Sequence, residues 1–185
     1  MTAMYARPRL AVRLVGLTII VFSLAGCGAD LASGALHSSS VTGYKDSSLF
    51  DPAGHKIAAL PDGRFRVTAA GSAETPKARV EKIAMARAAE YGAEMHRSGF
   101  QTTQPVHSIR CDKRSYSEKG VRVEKPKVGY NVVELDVTYS NSSSDPAFKP
   151  CKTTAETLKA ELQSEVVPPE VLSQTAAEVA AQCGR

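Results

Sequence analysis

The chain has 185 residues, of which 43% are hydrophobic, with no Trp, five Phe and six Tyr. That suffices for one modest domain plus an extension, and the scarcity of aromatic side chains excludes a large aromatic ligand groove. Three of the 23 basic residues (Arg7, Arg9 and Arg13) fall in the first 26 positions, where no acid occurs; the remainder holds 20 basic against 19 acidic residues, a net of +1 that argues for neither nucleic acid nor an anionic membrane surface as partner.

Behind those arginines, positions 14–24 (LVGLTIIVFSL) form an apolar run of eleven residues, and Leu24-Ala25-Gly26-Cys27 follows. A basic segment, a short apolar core and small residues at a cleavage point make residues 1–26 a secretory signal peptide. The run is too short for an ordinary spanning helix, which needs about 20 apolar residues. The Leu-Ala-Gly-Cys string resembles the lipobox of bacterial lipoproteins. This resemblance implies cleavage between Gly26 and Cys27, with a diacylglyceryl group carrying palmitate-type fatty acids on the Cys27 sulfur. Two or three acyl chains hold a protein durably on a membrane, whereas one holds it marginally. By the same resemblance, Gly28 after the cysteine, in place of Asp, directs the protein in a Gram-negative host to the outer membrane, facing the periplasm.

Residues 27–60 read as a flexible tether, rich at first in Ser, Gly and Ala (LASGALHSSS), with a weak strand or docking signal only over Leu49 to Leu60. A coil of this length spans roughly 30 Å. A domain over residues 61–140 begins at the turn Pro61-Asp62-Gly63. Arg64 to Ala69 then alternates with period two, placing Phe65, Val67 and Ala69 inward on a strand that ends at Gly71 and Ser72. Thr75 as cap and Pro76 at the first helical position open a long helix to about Arg97, stopped by Gly99. Its buried stripe is Val80, Ile83, Ala84, Ala88, Tyr91 and Met95, with Glu81, Lys82, Glu90 and Glu94 toward water. A second strand covers Val106 to Cys111, and the charged Asp112 to Lys127 is a loop or a ragged hairpin. Gly129 to Tyr139 is the strongest strand. If it pairs with the first, Arg64 and Arg66 meet Glu134 and Asp136 across the outer face.

Residues 141–152 read as a linker, and residues 153–185 as two helices broken at Pro168-Pro169. The first opens with a capping box, Thr153 to Glu156. Folded back as a hairpin, they return Cys183 to Cys151, and a Cys151–Cys183 disulfide would close about 33 residues, nominally about 3–4 kcal/mol. Cys111 is then a buried free thiol, unless it pairs with Cys151 or with a partner protein. The apolar face of the hairpin (Leu158, Leu162, Val166, Leu172 and Val179) either caps the domain's own core or docks an envelope protein.

The run RFRVTAAGSAETPKARVEKIAMARAAE carries a second resemblance. Phe65-Arg66-Val67, Gly71, Val80-Glu81 and Arg87-Ala88-Ala89-Glu90 resemble a group of small proteobacterial envelope lipoproteins over residues 64–139. The helix exit, Gly99-Phe100-Gln101, is less aromatic than in that group. The resemblance implies a β-α-β-β domain and no activity.

The expected fold is therefore α+β: a three-stranded antiparallel sheet with one long helix, plus a helical hairpin. No nucleophile elbow, HExxH, P-loop or dinucleotide fingerprint occurs, and His37, His55, His96 and His107 are scattered. No metal or other cofactor is expected. The reading is a non-enzymatic, lipid-anchored envelope protein that binds or scaffolds other components, with no nucleic-acid partner. The alternatives are a peptidoglycan-contacting anchor using Arg79 and Arg87, although the acidic loop expected before the helix reads Ala69-Ala70-Gly71-Ser72, and an enzyme with an unrecognised site.

Overall fold

The computed structural model describes residues 41–49, 51–142 and 146–184. The expected signal peptide with its cleavage point at Gly26 and Cys27, and the start of the expected tether, lie outside them. Among the described residues nine elements follow in order: β1 (Gly54–Ala59), β2 (Phe65–Ser72), α1 (Lys77–Glu94), β3 (Gly99–Thr102), β4 (Val106–Glu118), β5 (Val121–Ser140), β6 (Lys149–Pro150), α2 (Cys151–Ser164) and α3 (Pro169–Gln182).

The fold is α+β, but the sheet has six strands, not three. Its order is β1-β2-β5-β3-β6, with β4 also pairing β5. Every pairing between these strands is antiparallel, and an isolated parallel bridge joins Asp46 to His55. Strands β2 and β5 are those read from the alternation, and they pair with Val67 opposite Leu135 and Ala69 opposite Val133. The additional strands come from segments read otherwise. β1 lies in the expected tether, and residues 41–49 and 51–60 belong to the domain. β6 and the start of α2 lie in the expected linker. The charged stretch from Asp112 is a hairpin, ragged where the register shifts between Asp112 and Arg114.

Side chains alternate between the two faces of a strand. Val67, Ala69, Val133, Leu135 and Val137 all face α1 and form the main core with Val80, Ile83, Ala84 and Ala88. A smaller cluster of Ala53, Ala70, Tyr130 and Val132 covers part of the opposite face. Pro76 sits at the N-cap of α1, where Thr75 had been expected. The Thr75 hydroxyl is instead committed to Thr42 and Ser72. The helix ends at Met95 because His96 turns into the left-handed region at φ 56°, before Gly99, which begins β3.

Helix α1 is buried on two flanks, including Ala86, Ala89 and Gly92, because α2 packs along it. The two run antiparallel, with Cys151 against Gly92 at one end and the Leu162 carbonyl against Arg79 at the other. A Cβ on Gly92 would come within 2.5 Å of Cys151 Sγ and 2.7 Å of the Tyr139 ring. Close approach of the helices therefore requires glycine there. The expected capping box at Thr153 falls inside α2, which begins two residues earlier.

The expected helical hairpin does not form. Beyond Pro168, α3 leads away from α2 and lies against β5 on the same face as α1. There Val179 covers Gly129, and Glu178 lies 3.7 Å from Lys77. This placement decides the disulfide. Cys183, at the end of α3, bonds Cys111 of β4, whose Cα partner is Gly129. The expected Cys151–Cys183 bond is absent, and Cys151 is a buried free thiol. Cys151 lies at the C-terminal end of α1 and Cys183 near its N-terminal end, roughly 20 Å apart along that helix.

Candidate functional site

Two features stand out: a polar seam where the N-terminal segment enters the domain, and an exposed basic arm.

The seam begins at Thr42, which is 6% exposed although it precedes every strand. Its amide donates to Thr75 Oγ1 at 2.9 Å, and its hydroxyl accepts from the Ser72 amide at 2.9 Å. Its carbonyl accepts from Arg79 Nε at 3.2 Å. The same guanidinium donates to Glu165 and to the Leu162 carbonyl, both at 2.8 Å, so one buried Arg joins the N-terminal segment, α1 and the end of α2. Asn131 completes the seam by donating to the Thr75 carbonyl at 2.9 Å.

Two residues on, the Tyr44 hydroxyl donates to the Glu90 carboxylate, which also pairs with Lys159 of α2. Arg87 donates to Glu90 at 2.9 Å and to Glu94 at 2.8 Å. The Lys159 ammonium stands over the Tyr44 ring at 4.9 Å, and His55 of β1 packs on that ring at 4.4 Å. Burial alone would raise the Glu90 carboxyl, but hydrogen bonds from Lys159, Tyr44 and Arg87 outweigh it and hold the pKa at about 2. Burial and the Glu90 hydrogen bond push the Tyr44 phenol far above its ordinary value. Burial lowers Arg87, but its bonds to Glu94 and Glu90 raise it further, and the net shift is upward. His55, buried with Nδ1 3.1 Å from Asp46, is lowered chiefly by burial.

An acid or base works best with a pKa near the operating pH. In this cluster the carboxylate, the phenol and the guanidinium are all driven away from neutrality and bonded to one another. The arrangement is a clasp: it holds the segment entering the fold, and its carboxylate, phenol and guanidinium stay in one protonation state near neutral pH.

The second feature is the arm formed by β4 and β5. Strand β2 ends with Ser72 opposite Tyr130, yet β5 continues from there to Val121, and β4 pairs with it as far as Glu118. Gly120, at φ 81°, makes the turn. Nine residues of β5 beyond Tyr130 correspond to roughly 30 Å of projecting strand. A groove of about 550 Å³ runs along the arm next to the end of α3, lined by Lys113, Arg122, Lys125 and Lys127, with Glu124 among them.

The remaining sequence candidates fall outside both features. Arg79 and Arg87, which the peptidoglycan alternative offered, are engaged internally. His107 Nε2 lies 3.3 Å from Glu81. Burial raises the Cys151 thiol, as suits a packing residue rather than a nucleophile. Among the described residues, no group of three or more His, Cys, Asp or Glu could hold a metal ion, and no helix is long and apolar enough to cross a membrane. Of the clasp, sequence reasoning found none. Glu90 read as solvent-facing, and the only local signal was the spacing of Arg87, Glu90 and Glu94 on one helical face.

Comparison of this chain with protein-family models, with curated proteins and with solved structures finds no match.

Proposed function

We propose that this chain is a lipid-anchored protein of the bacterial envelope that binds or scaffolds other envelope components and is not a catalyst. Cys27 would carry the lipid, after cleavage at Gly26, and the protein would stand in the periplasm, on the outer membrane in a Gram-negative host. The observation that carries this reading is the clasp. A chain pulled from its N-terminal end loads the seam at Thr42 and Tyr44 first, and that seam ties the incoming segment to β2, α1 and α2 at once. A domain held by its N-terminus benefits from such a fixing.

The reading is tested by metabolic labelling with radioactive palmitate in a bacterial host. Label should enter the full-length protein and be lost in Cys27→Ser, while the domain remains folded. Label retained by Cys27→Ser, or absent from the parent, would sink it. In vivo cross-linking then tests the binding role: a specific partner should be captured by the folded protein.

A further inference from the structure

We infer that the β4–β5 arm docks on the anionic phospholipid headgroups of the membrane that carries the chain. This inference builds on the proposed lipid anchor. It rests on where the charge lies and on where the arm points.

Residues 110–127 hold seven basic and three acidic residues, a net of +4. The rest of the chain after position 26 holds thirteen basic and sixteen acidic residues, a net of −3. The near-neutral total therefore hides a basic arm on an acidic body. Arg110 is engaged internally, 5.1 Å over the Tyr130 ring and 3.2 Å from Asp112. Farther out, Lys113, Lys119, Arg122, Lys125 and Lys127 are all exposed, and Val121 at the turn is 65% exposed. A basic strip with an exposed apolar residue at its tip suits a surface of phosphates over hydrocarbon.

The direction of the arm agrees. Thr42 is fixed at the Ser72 end of β2, and the arm projects beyond that same end. The fifteen residues from Cys27 to Val41 reach at most about 54 Å. The arm covers roughly 30 Å of that distance. A lipid on Cys27 and the tip of the arm can therefore meet one membrane, and a second, electrostatic contact makes acyl anchoring more durable. Each basic residue near an anionic surface favours docking by about fivefold.

The test incubates the mature chain with vesicles of phosphatidylcholine alone, or of phosphatidylcholine and phosphatidylglycerol in equal parts, and follows amide hydrogen exchange. On the anionic vesicles, exchange across residues 113–127 should slow by tenfold or more. High salt should reverse the effect, while α1 amides stay unchanged. The combined Lys113→Glu, Arg122→Glu and Lys127→Glu substitutions should abolish it. If that variant misfolds, as α1 exchange would reveal, Lys119→Glu with Arg122→Glu at the exposed turn should weaken docking by about tenfold or more. Equal exchange on both vesicle types would overturn the inference, as would matching protection by inorganic phosphate or by an oligonucleotide without vesicles. Intact mass of the same sample separates the two claims. Lipid present with no anionic effect removes only the docking. Docking by a chain without lipid removes only the anchor.

Discussion

Replacing both Cys111 and Cys183 with Ser should destabilise the domain strongly. The bond joins residues 72 positions apart, linking β4 to the last turn of α3. In the chain-entropy account, closing a loop of that length contributes about 4 kcal/mol. Native packing also depends on it, since Cys183 and Val179 cover Gly129 of β5. Urea unfolding of the oxidised parent and the double variant, followed by circular dichroism, measures the difference. We expect a loss of about 3–4 kcal/mol, with hydrogen exchange rising first in α3. A Cys151→Ala control should instead show only a packing cost of about 1 kcal/mol, because its thiol is a small buried hydrophobe. A loss below about 1 kcal/mol in the double variant would refute this reasoning. So would a non-reducing peptide map joining Cys151 to Cys183.

Glu90→Gln should flatten the acid limb of the stability curve. With a folded-state pKa of about 2, below the ordinary carboxylate value of 4.5, Glu90 stabilises the fold fully above about pH 5 and loses that contribution as pH falls toward 2. The parent should lose on the order of 2–3 kcal/mol over that window, and the variant much less, in urea titrations at each pH. His55 acts higher on the scale. Burial lowers its folded pKa, so protonation favours the unfolded chain, and stability falls as pH drops below about 6.5. His55→Leu should remove that slope between neutral and mildly acidic pH. Gly92→Ala should cost about 1–3 kcal/mol by driving a methyl group into Cys151 and Tyr139. Adding Cys151→Ala should recover part of that loss, and a double-mutant cycle of thermal unfolding reads the coupling.

The parts legible in the sequence were those whose burial imposed a period. Strands β2 and β5 alternate because one face of each meets α1. The Arg66–Asp136 pair follows from their register, with Nε 2.7 Å from the carboxylate. Strand β1 gave only a weak signal within Leu49 to Leu60 because it is an edge strand whose inward positions are His55 and Ile57, and a histidine inside breaks the pattern. The β4–β5 arm read no more sharply than a loop or a ragged hairpin because it leaves the core, so no buried face imposes alternation beyond Asp112. Net charge is silent on distribution for a related reason: an average over the chain cancels the basic stretch 110–127 against an acidic remainder. The disulfide was misassigned because Pro168-Pro169 signals a break but not a direction. Nothing local in α3 reveals that Val179 and Cys183 meet Gly129 and Cys111. The clasp joins Tyr44, Glu90 and Lys159 across long separations, and helical spacing alone left Glu90 on the wet side.

The central claim is that a folded, disulfide-closed domain is joined to a membrane through Cys27. Intact mass of the protein from native membranes, before and after reduction and alkylation, tests it most directly. The account predicts a chain beginning at Cys27 that carries acyl groups. It also predicts one alkylatable thiol, Cys151, after unfolding without reduction, and three after reduction. A chain that begins elsewhere without lipid, or one whose three thiols all react before reduction, would contradict it.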